Sequence, residues 1–386
     1  EVVMMVGDGV PKLVERALRV TDAERDLAPE AAVAQFLGFY EAAPADLSTP
    51  FPGAFEIVRV LKADGIKLGI SERPASRMGG IAIAAGVILF CGVAAFDGGL
   101  NANMQGPEFF RGYEWAALLI GVVGLIDDLT QRLSPIKRLG LITLIVATAL
   151  GLQPNLVPGP IEFWVFEQVL NHSVVIALGA TLVVVGFINA GNIADGANGL
   201  LAITALCVFL LGYHHAQTVL FFGLFVSVAV FTLYNLLSGQ LFLGDFGSYG
   251  LSAMMALVCL DLLQSGGASI WFFAAILSYP CTEIVRVIIN RLLRKKSPFA
   301  ADNSHVHNKV FAVLKRAGCS ALTANSLTGL LVSGLFSVLP TYLAFSGLLP
   351  WTSPWWFAYF LAGVAVHLLL SSISREKLRS RFANNV

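Results

Sequence analysis

Five stretches of this 386-residue chain carry side chains suited to chemistry. In Gly124-Leu-Ile-Asp127-Asp128, two adjacent carboxylates close an apolar run. Placed there they repel each other and lose hydration, a cost that a bound cation or a proton relay offsets. A polar helix end is the plainer account. In Asn189-Ala-Gly-Asn192-Ile-Ala-Asp195-Gly-Ala-Asn198-Gly, Asn and Asp recur every third residue, so a helical turn puts them on one face. The glycines permit close backbone approach to a ligand. Oxygen donors without sulfur or imidazole suit Mg2+, with Mn2+ as the neighbouring choice; Mg2+ keeps several waters and takes one or two carboxylates plus substrate phosphates. An Asx-rich turn capping two helices reads the same way. In Phe242-Leu-Gly-Asp245-Phe-Gly-Ser248, Asp245 is either a helix cap or a further metal ligand. Lys295 through Lys309 sets basic residues beside His305 and His307, a mixture that suits a pyrophosphate or a lipid phosphate. Arg77, in the turn Pro74 to Gly80, either meets a phosphate or anchors a helix at the bilayer surface.

The elements that must position these residues are membrane helices. The chain is 56% hydrophobic and 13% charged, where soluble proteins carry about 25% charge, and its mean hydropathy is +0.74. A net charge of zero gives no reason to expect a nucleic-acid partner. The five cysteines are scattered and form no CxxC or Cys/His cluster, so neither a disulfide framework nor a zinc site is expected. No signal peptide is expected.

A span needs roughly 20 apolar residues. Ten candidates follow: 79–96, 114–126, 138–152, 173–189, 199–213, 216–236, 248–263, 268–290, 325–347 and 352–373. Since no open sheet survives in lipid, all are read as helices. Number the gaps after each span. The odd gaps hold one basic residue, Arg111, while the even gaps hold nine, among them Arg132, Arg291 and Lys315, with Arg138 opening the span next to Lys137. This asymmetry predicts that both termini and the even gaps face the cytoplasm. Asp127, Asp128, Asn189, Asn192, Asp195, Asn198, Asp245, His305 and His307 all fall on that side, in what read as cytoplasmic loops. The expected architecture is an all-α polytopic membrane protein of about ten helices (71–386), preceded by a small, mostly helical soluble segment (1–70). The expected chemistry joins a nucleotide-sugar pyrophosphate, bridged by Mg2+, to a lipid monophosphate arriving from the bilayer. Such a reaction asks the protein for alignment and charge neutralisation. A transporter would instead place its polar residues near the bilayer midplane on broken helices, with internal repeats.

Five stretches also carry a family likeness. They are Arg73-Pro-Ala-Ser-Arg-Met-Gly-Gly-Ile-Ala-Ile, Gly-Leu-Ile-Asp127-Asp128-Leu, Asn189 to Leu200, Phe242 to Ser248, and Ser297-Pro-Phe to His307. Together they resemble the polyprenyl-phosphate N-acetylhexosamine-1-phosphate transferase family, over about residues 72–375. The nearest likeness is to bacterial undecaprenyl-phosphate GlcNAc-1-phosphate transferases and their O-antigen-initiating relatives. The resemblance implies transfer of a sugar 1-phosphate from a UDP-N-acetylhexosamine to undecaprenyl phosphate with release of UMP, at the bacterial inner membrane, as a first step of envelope glycan synthesis. It implies Mg2+ near Asp245 and Asn192. It gives Asp127 or Asp128 the task of activating the lipid phosphate or helping to hold the metal. Asp195 matches an essential acid, and His305 and His307 match a substrate-binding loop. We assign Asn189, Asn198, Arg77 and Arg138 to the substrates as well, and admit a homodimer among the assembly states.

The phospho-MurNAc-pentapeptide translocase is a related alternative, but its run of three histidines is absent. Asn198 stands where many members carry Asp. The family's helix before the Pro-to-Gly-Gly turn is replaced by the soluble segment, so an inactive remnant is a further alternative. That segment resembles a piece of a phosphoglycolate-phosphatase-like haloacid dehalogenase protein, through Val6 to Leu18 and Pro52 to Ile70. The nucleophilic Asp-x-Asp strand of that family is missing, and no phosphatase activity is expected.

Overall fold

Long apolar runs have one way to satisfy their backbone in lipid, and these runs take it. In the computed structural model the described residues are 76–96, 112–130, 133–159, 172–297 and 305–372. They form helices α1 (Gly79–Phe96), α2 (Glu114–Thr130), α3 (Pro135–Leu152), α4 (Ser173–Ala194), α5 (Leu200–Ala216), α6 (Val219–Ser238), α7 (Gly244–Gln264), α8 (Ile270–Ile276), α9 (Ser278–Leu293), α10 (Val306–Arg316), α11 (Ala321–Ser333), α12 (Leu339–Phe345) and α13 (Trp356–Ser371). Each of the ten expected spans falls on a helix or on a pair of consecutive helices. Segment 1–70 and the expected loop residues 298–304 lie outside the described residues.

Among the described residues, five stretches are long and apolar enough to cross a membrane: α3, α4, α6, α7 and Ala321–Phe345. The pair α8–α9 supplies a sixth if its bend lies within one span, and Gly79–Ala94, α5 and α13 are shorter apolar helices. The protein is therefore an all-helical, multi-pass membrane protein. Leu144, Leu182, Val183, Val230, Leu237 and Leu369 point outward with at least 64% of their surface uncovered. Such a girdle is tolerated only where lipid covers it. The five cysteines are all free thiols.

Helix α7 is the hub. It packs against α1, α2, α4 and α5, and 72% of its apolar window is buried, against 22% for α3. Close approach depends on glycine. A Cβ on Gly80 would lie 2.2 Å from the Gly247 Cα, and one on Gly124 would lie 2.3 Å from the Asp245 carbonyl oxygen. These glycines let α1 and α2 reach the first turn of α7 backbone to backbone.

The bend between α8 and α9 is 74°. Pro280, in the first turn of α9, has no N–H to give the carbonyl of Ile276 four residues back, and its ring crowds that carbonyl. The stranded oxygen finds another donor: Ser337 Oγ donates to Ile276 O at 2.8 Å, and Ser337 lies 3.0 Å from Thr204 Oγ1. Ser337 sits in a π-turn, Gly334–Val338, just before Pro340, where a second proline widens the ladder. Ser337→Ala is expected to destabilise the protein by about 1–3 kcal/mol, because it leaves a buried carbonyl unpaired. Thermal unfolding in detergent measures this. An unchanged midpoint would mean that the bend is satisfied some other way.

Candidate active site

The first turn of α7 needs an acceptor for its free N–H groups. Its N-cap residue, Leu243, offers no side-chain cap. Asp128, on the last turn of α2, supplies it across the helix interface: its Oδ2 accepts from Asp245 N at 2.7 Å and from Phe246 N at 3.3 Å. A carboxylate at a helix N-terminus is held by charge as well as by hydrogen bonds. Gly244, with φ +68°, makes the entry turn against the Arg77 carbonyl. The strap 76–80 clasps the same turn, with Gly79 N and Gly80 N each donating at 2.9 Å to the carbonyls of Phe242 and Leu243.

Adjacent helical residues point about 100° apart, so Asp127 faces elsewhere. It faces Arg138 on α3. That helix starts in the usual way, with Ser134 Oγ accepting from Lys137 N and Pro135 in the first position, which places Arg138 on its first turn. The Arg138 guanidinium contacts Asp127 Oδ2, lies 3.6 Å from Asp245 Oδ2, and stands 5.3 Å from the Tyr249 ring centroid. Arg77, largely exposed, is 3.7 Å from Asp128 Oδ1, a buried oxygen with no hydrogen-bond partner. Asn192, near the end of α4, joins through α7: its Nδ2 donates to Tyr249 Oη at 3.0 Å and its Oδ1 accepts from Ser248 Oγ at 2.8 Å. Three carboxylates, two arginines and Asn192 thus meet around one helix start.

A second cluster lies on the same end of the bundle. Glu283 on α9 is fully buried. Its Oε1 accepts from Arg286 Nη2 at 2.5 Å and lies 2.9 Å from His305 Nδ1. His367 Nε2 is 2.9 Å from Oε2, an electrostatic contact without hydrogen-bond alignment. His307 Nδ1 is 2.9 Å from Tyr279 Oη, and the His305 and His307 rings stack at 5.2 Å. The end of α4 touches both clusters. Asn192 belongs to the first, while a Cβ on Gly196, one turn further, would come within 2.1 Å of His307 Nε2. Asp195 is the C-cap of α4, between Asn192 and Gly196 in the chain. The opposite end of the bundle is tied by other residues, such as Tyr113 Oη donating to Asp261 Oδ2 at 3.1 Å.

Several expectations are corrected. Asp127, Asp128, Asn189, Asn192, Asp245 and His307 sit on helices, not in loops. The apolar runs stop short of the helix ends because a helix keeps its backbone hydrogen bonds through a polar last turn. Asn189 Nδ2 donates back to Val185 O at 2.8 Å, one turn earlier on α4. Asn198 is 2% exposed, and its amide is engaged with Asn325 and Ser326 of α11, contacts that pack α11 against the turn after α4. His307 is likewise 2% exposed, wedged between Tyr279 and Gly196, so only His305 of the two keeps an accessible edge. His367 and Glu283, which sequence reasoning does not single out, belong to the second cluster. A Glu and an Arg at i and i+3 within an apolar run were the available signal.

Among the described residues no three or more His, Cys, Asp or Glu side chains form a ready metal cage. An ion that keeps most of its waters does not need one. Asp245, Asn192 and Asp128 Oδ1, which among the described residues accepts no hydrogen bond, are hard oxygen donors and fit such an ion.

Residues 111–263 match glycosyl transferase family 4. The chain is 29% identical over 277 residues to a probable undecaprenyl-phosphate N-acetylglucosaminyl 1-phosphate transferase of Bacillus subtilis, covering 66% of this chain and 74% of that protein. It is 28% identical over 285 residues to the undecaprenyl-phosphate alpha-N-acetylglucosaminyl 1-phosphate transferase of Yersinia pestis, covering 69% and 74%. A phospho-N-acetylmuramoyl-pentapeptide-transferase of Streptococcus uberis matches a shorter region, 29% identical over 162 residues, covering 38% and 48%.

Proposed function

From the match to glycosyl transferase family 4 over residues 111–263, we propose that the chain is a member of that family and transfers N-acetylhexosamine 1-phosphate from a UDP-sugar to undecaprenyl phosphate, releasing UMP. The observation that carries this reading is the convergence of Asp127, Asp128 and Asp245 with Arg77 and Arg138 at one end of a lipid-embedded bundle. An oxygen of the lipid phosphate attacks the β-phosphorus of the UDP-sugar. The bond from that phosphorus to the bridging oxygen breaks, and the electron pair leaves with UMP. No covalent enzyme intermediate is required, so the protein's work is to align two anions and offset their charge.

Arg77, the exposed cation of the set, meets incoming phosphate. Asp127, locked to Arg138, is placed to orient the lipid phosphate or take its proton. Asp128, whose Oδ2 is committed to the α7 cap, keeps the first turn of α7 and therefore Asp245 in place. Asp245 and Asn192 would hold Mg2+, with Mn2+ as substitute, and the ion would supply charge neutralisation at the pyrophosphate. Asp195 and His305 line the approach from the other cluster. In this reading the ten expected spans all cross the bacterial inner membrane, and the site and both termini face the cytoplasm, as the Lys and Arg asymmetry supports. Residues 1–70 take no part in the reaction.

Membranes containing the chain, supplied with UDP-[32P]GlcNAc and undecaprenyl phosphate, are expected to yield a labelled lipid and UMP, and EDTA is expected to abolish both. Absence of transfer from every UDP-sugar tested would overturn the reading. Transfer from a UDP-MurNAc-pentapeptide alone would favour the related translocase.

A further inference from the structure

The second cluster has a direction. Of the groups around Glu283, the carboxylate and His367 are fully buried, and the Arg286 side chain is 8% exposed. His305 alone leads outward, with 13% of its side chain exposed. It is also the residue from which α10 starts. Its Nδ1 faces Glu283 Oε1 at 2.9 Å, and among the described residues its Nε2 has no partner. One face of the ring is covered by the nearly parallel ring of His307, at an interplanar angle of 11°. His307 is in turn pinned by Tyr279, whose hydroxyl accepts from the His307 backbone N–H at 3.1 Å. The imidazole is therefore fixed in rotation and position, with one hydrogen-bonding edge left, on the end of the bundle that carries the aspartates.

A buried ion pair alone is weak evidence of a contribution to stability, because apolar side chains of equal volume serve as well or better. A carboxylate that holds a histidine by one nitrogen sets which nitrogen carries the proton and where the other points. We infer that Glu283 is a positioning residue: it accepts the Nδ1 proton of His305 and so presents Nε2 as the one free edge toward the substrate phosphates. Arg286 and His367 keep the carboxylate in place from its remaining sides. The inference rests on the transferase reading for what Nε2 meets, but not for the state of the ring.

The test has two arms. In the full chain with 15N-labelled histidine, the ring signals that disappear in His305→Gln identify His305. A protonated Nδ1 in the wild type is expected. An unprotonated Nδ1 overturns the inference whatever the protein catalyses, and without any substitution at Glu283. In the transfer assay, Glu283→Gln and His305→Gln are each expected to lower kcat/KM by about 10- to 100-fold. Because one residue acts through the other, the double variant is expected to be no worse than the poorer single one. Losses that multiply in the double variant, or a His305→Gln enzyme with wild-type kcat/KM, overturn the inference while leaving the transferase reading intact.

Discussion

Asp245→Asn and Asp127→Asn are each expected to lower the maximal transfer rate by about 100- to 1,000-fold, a loss typical of removing one preorganised electrostatic group from a reaction centre. The substitutions keep shape and hydrogen-bonding capacity and remove one charge. Neither disturbs the Asp128 cap, which uses the backbone N–H of residue 245 and not its side chain. Each leaves Arg138 one carboxylate, since that guanidinium contacts both. The fold should therefore survive, and the unfolding midpoint should stay near that of the wild type. The measurement is the initial rate of UMP release with both substrates saturating, read beside thermal unfolding of the same preparations. Wild-type rates in both variants would remove the aspartates from the chemistry. A lowered midpoint with an unchanged rate would make them packing residues.

The helices were legible because an apolar run is a local property. Residues 173–189 and 216–236 announce α4 and α6 by composition alone. The helix ends were less legible, because the apolar criterion ends at the first polar residue while the backbone ladder continues. Asp127 and Asp128 read as following a span, yet α2 runs on to Thr130, and that extra turn brings Asp128 to the start of α7. Pro280 marked the break between α8 and α9, inside what read as one span from 268 to 290. The aspartate cluster was legible in part, since its members share one side of the topology. Which oxygen caps a helix and which faces a cation depends on packing between α2, α3 and α7. The Glu283 cluster was hidden for the same reason. Its partners, Arg286, His305 and His367, come from three helices or their starts, and nothing along the chain announces that His367 reaches Glu283.

Arg138 presents a different case from the aspartates, because its removal acts on the fold as well as on the reaction. In Arg138→Met, Asp127 and Asp245 lose the cation they share, while Asp128 stays close enough to repel both. Arg77 is the remaining cation, and among the described residues its ion pair is with Asp128. The Asp127 and Asp245 side chains are 13% and 28% exposed, so water screens them poorly. The expected destabilisation is about 3 kcal/mol, the cost of leaving a mostly buried charge without its partner. Mg2+ offers a replacement charge, and an ion that binds only the folded protein raises its stability. The variant is therefore expected to recover its unfolding midpoint across a Mg2+ titration more steeply than the wild type does, without recovering transfer, because a hydrated ion at that position does not orient Asp127. Arg138→Lys should fall between the two. An ammonium neutralises one carboxylate but lacks the planar fork that lets one side chain reach two carboxylates beside the Tyr249 ring. An Arg138→Met protein that unfolds like the wild type, with no added response to Mg2+, would show that the three carboxylates are not held together by charge, and the site as drawn would lose its basis.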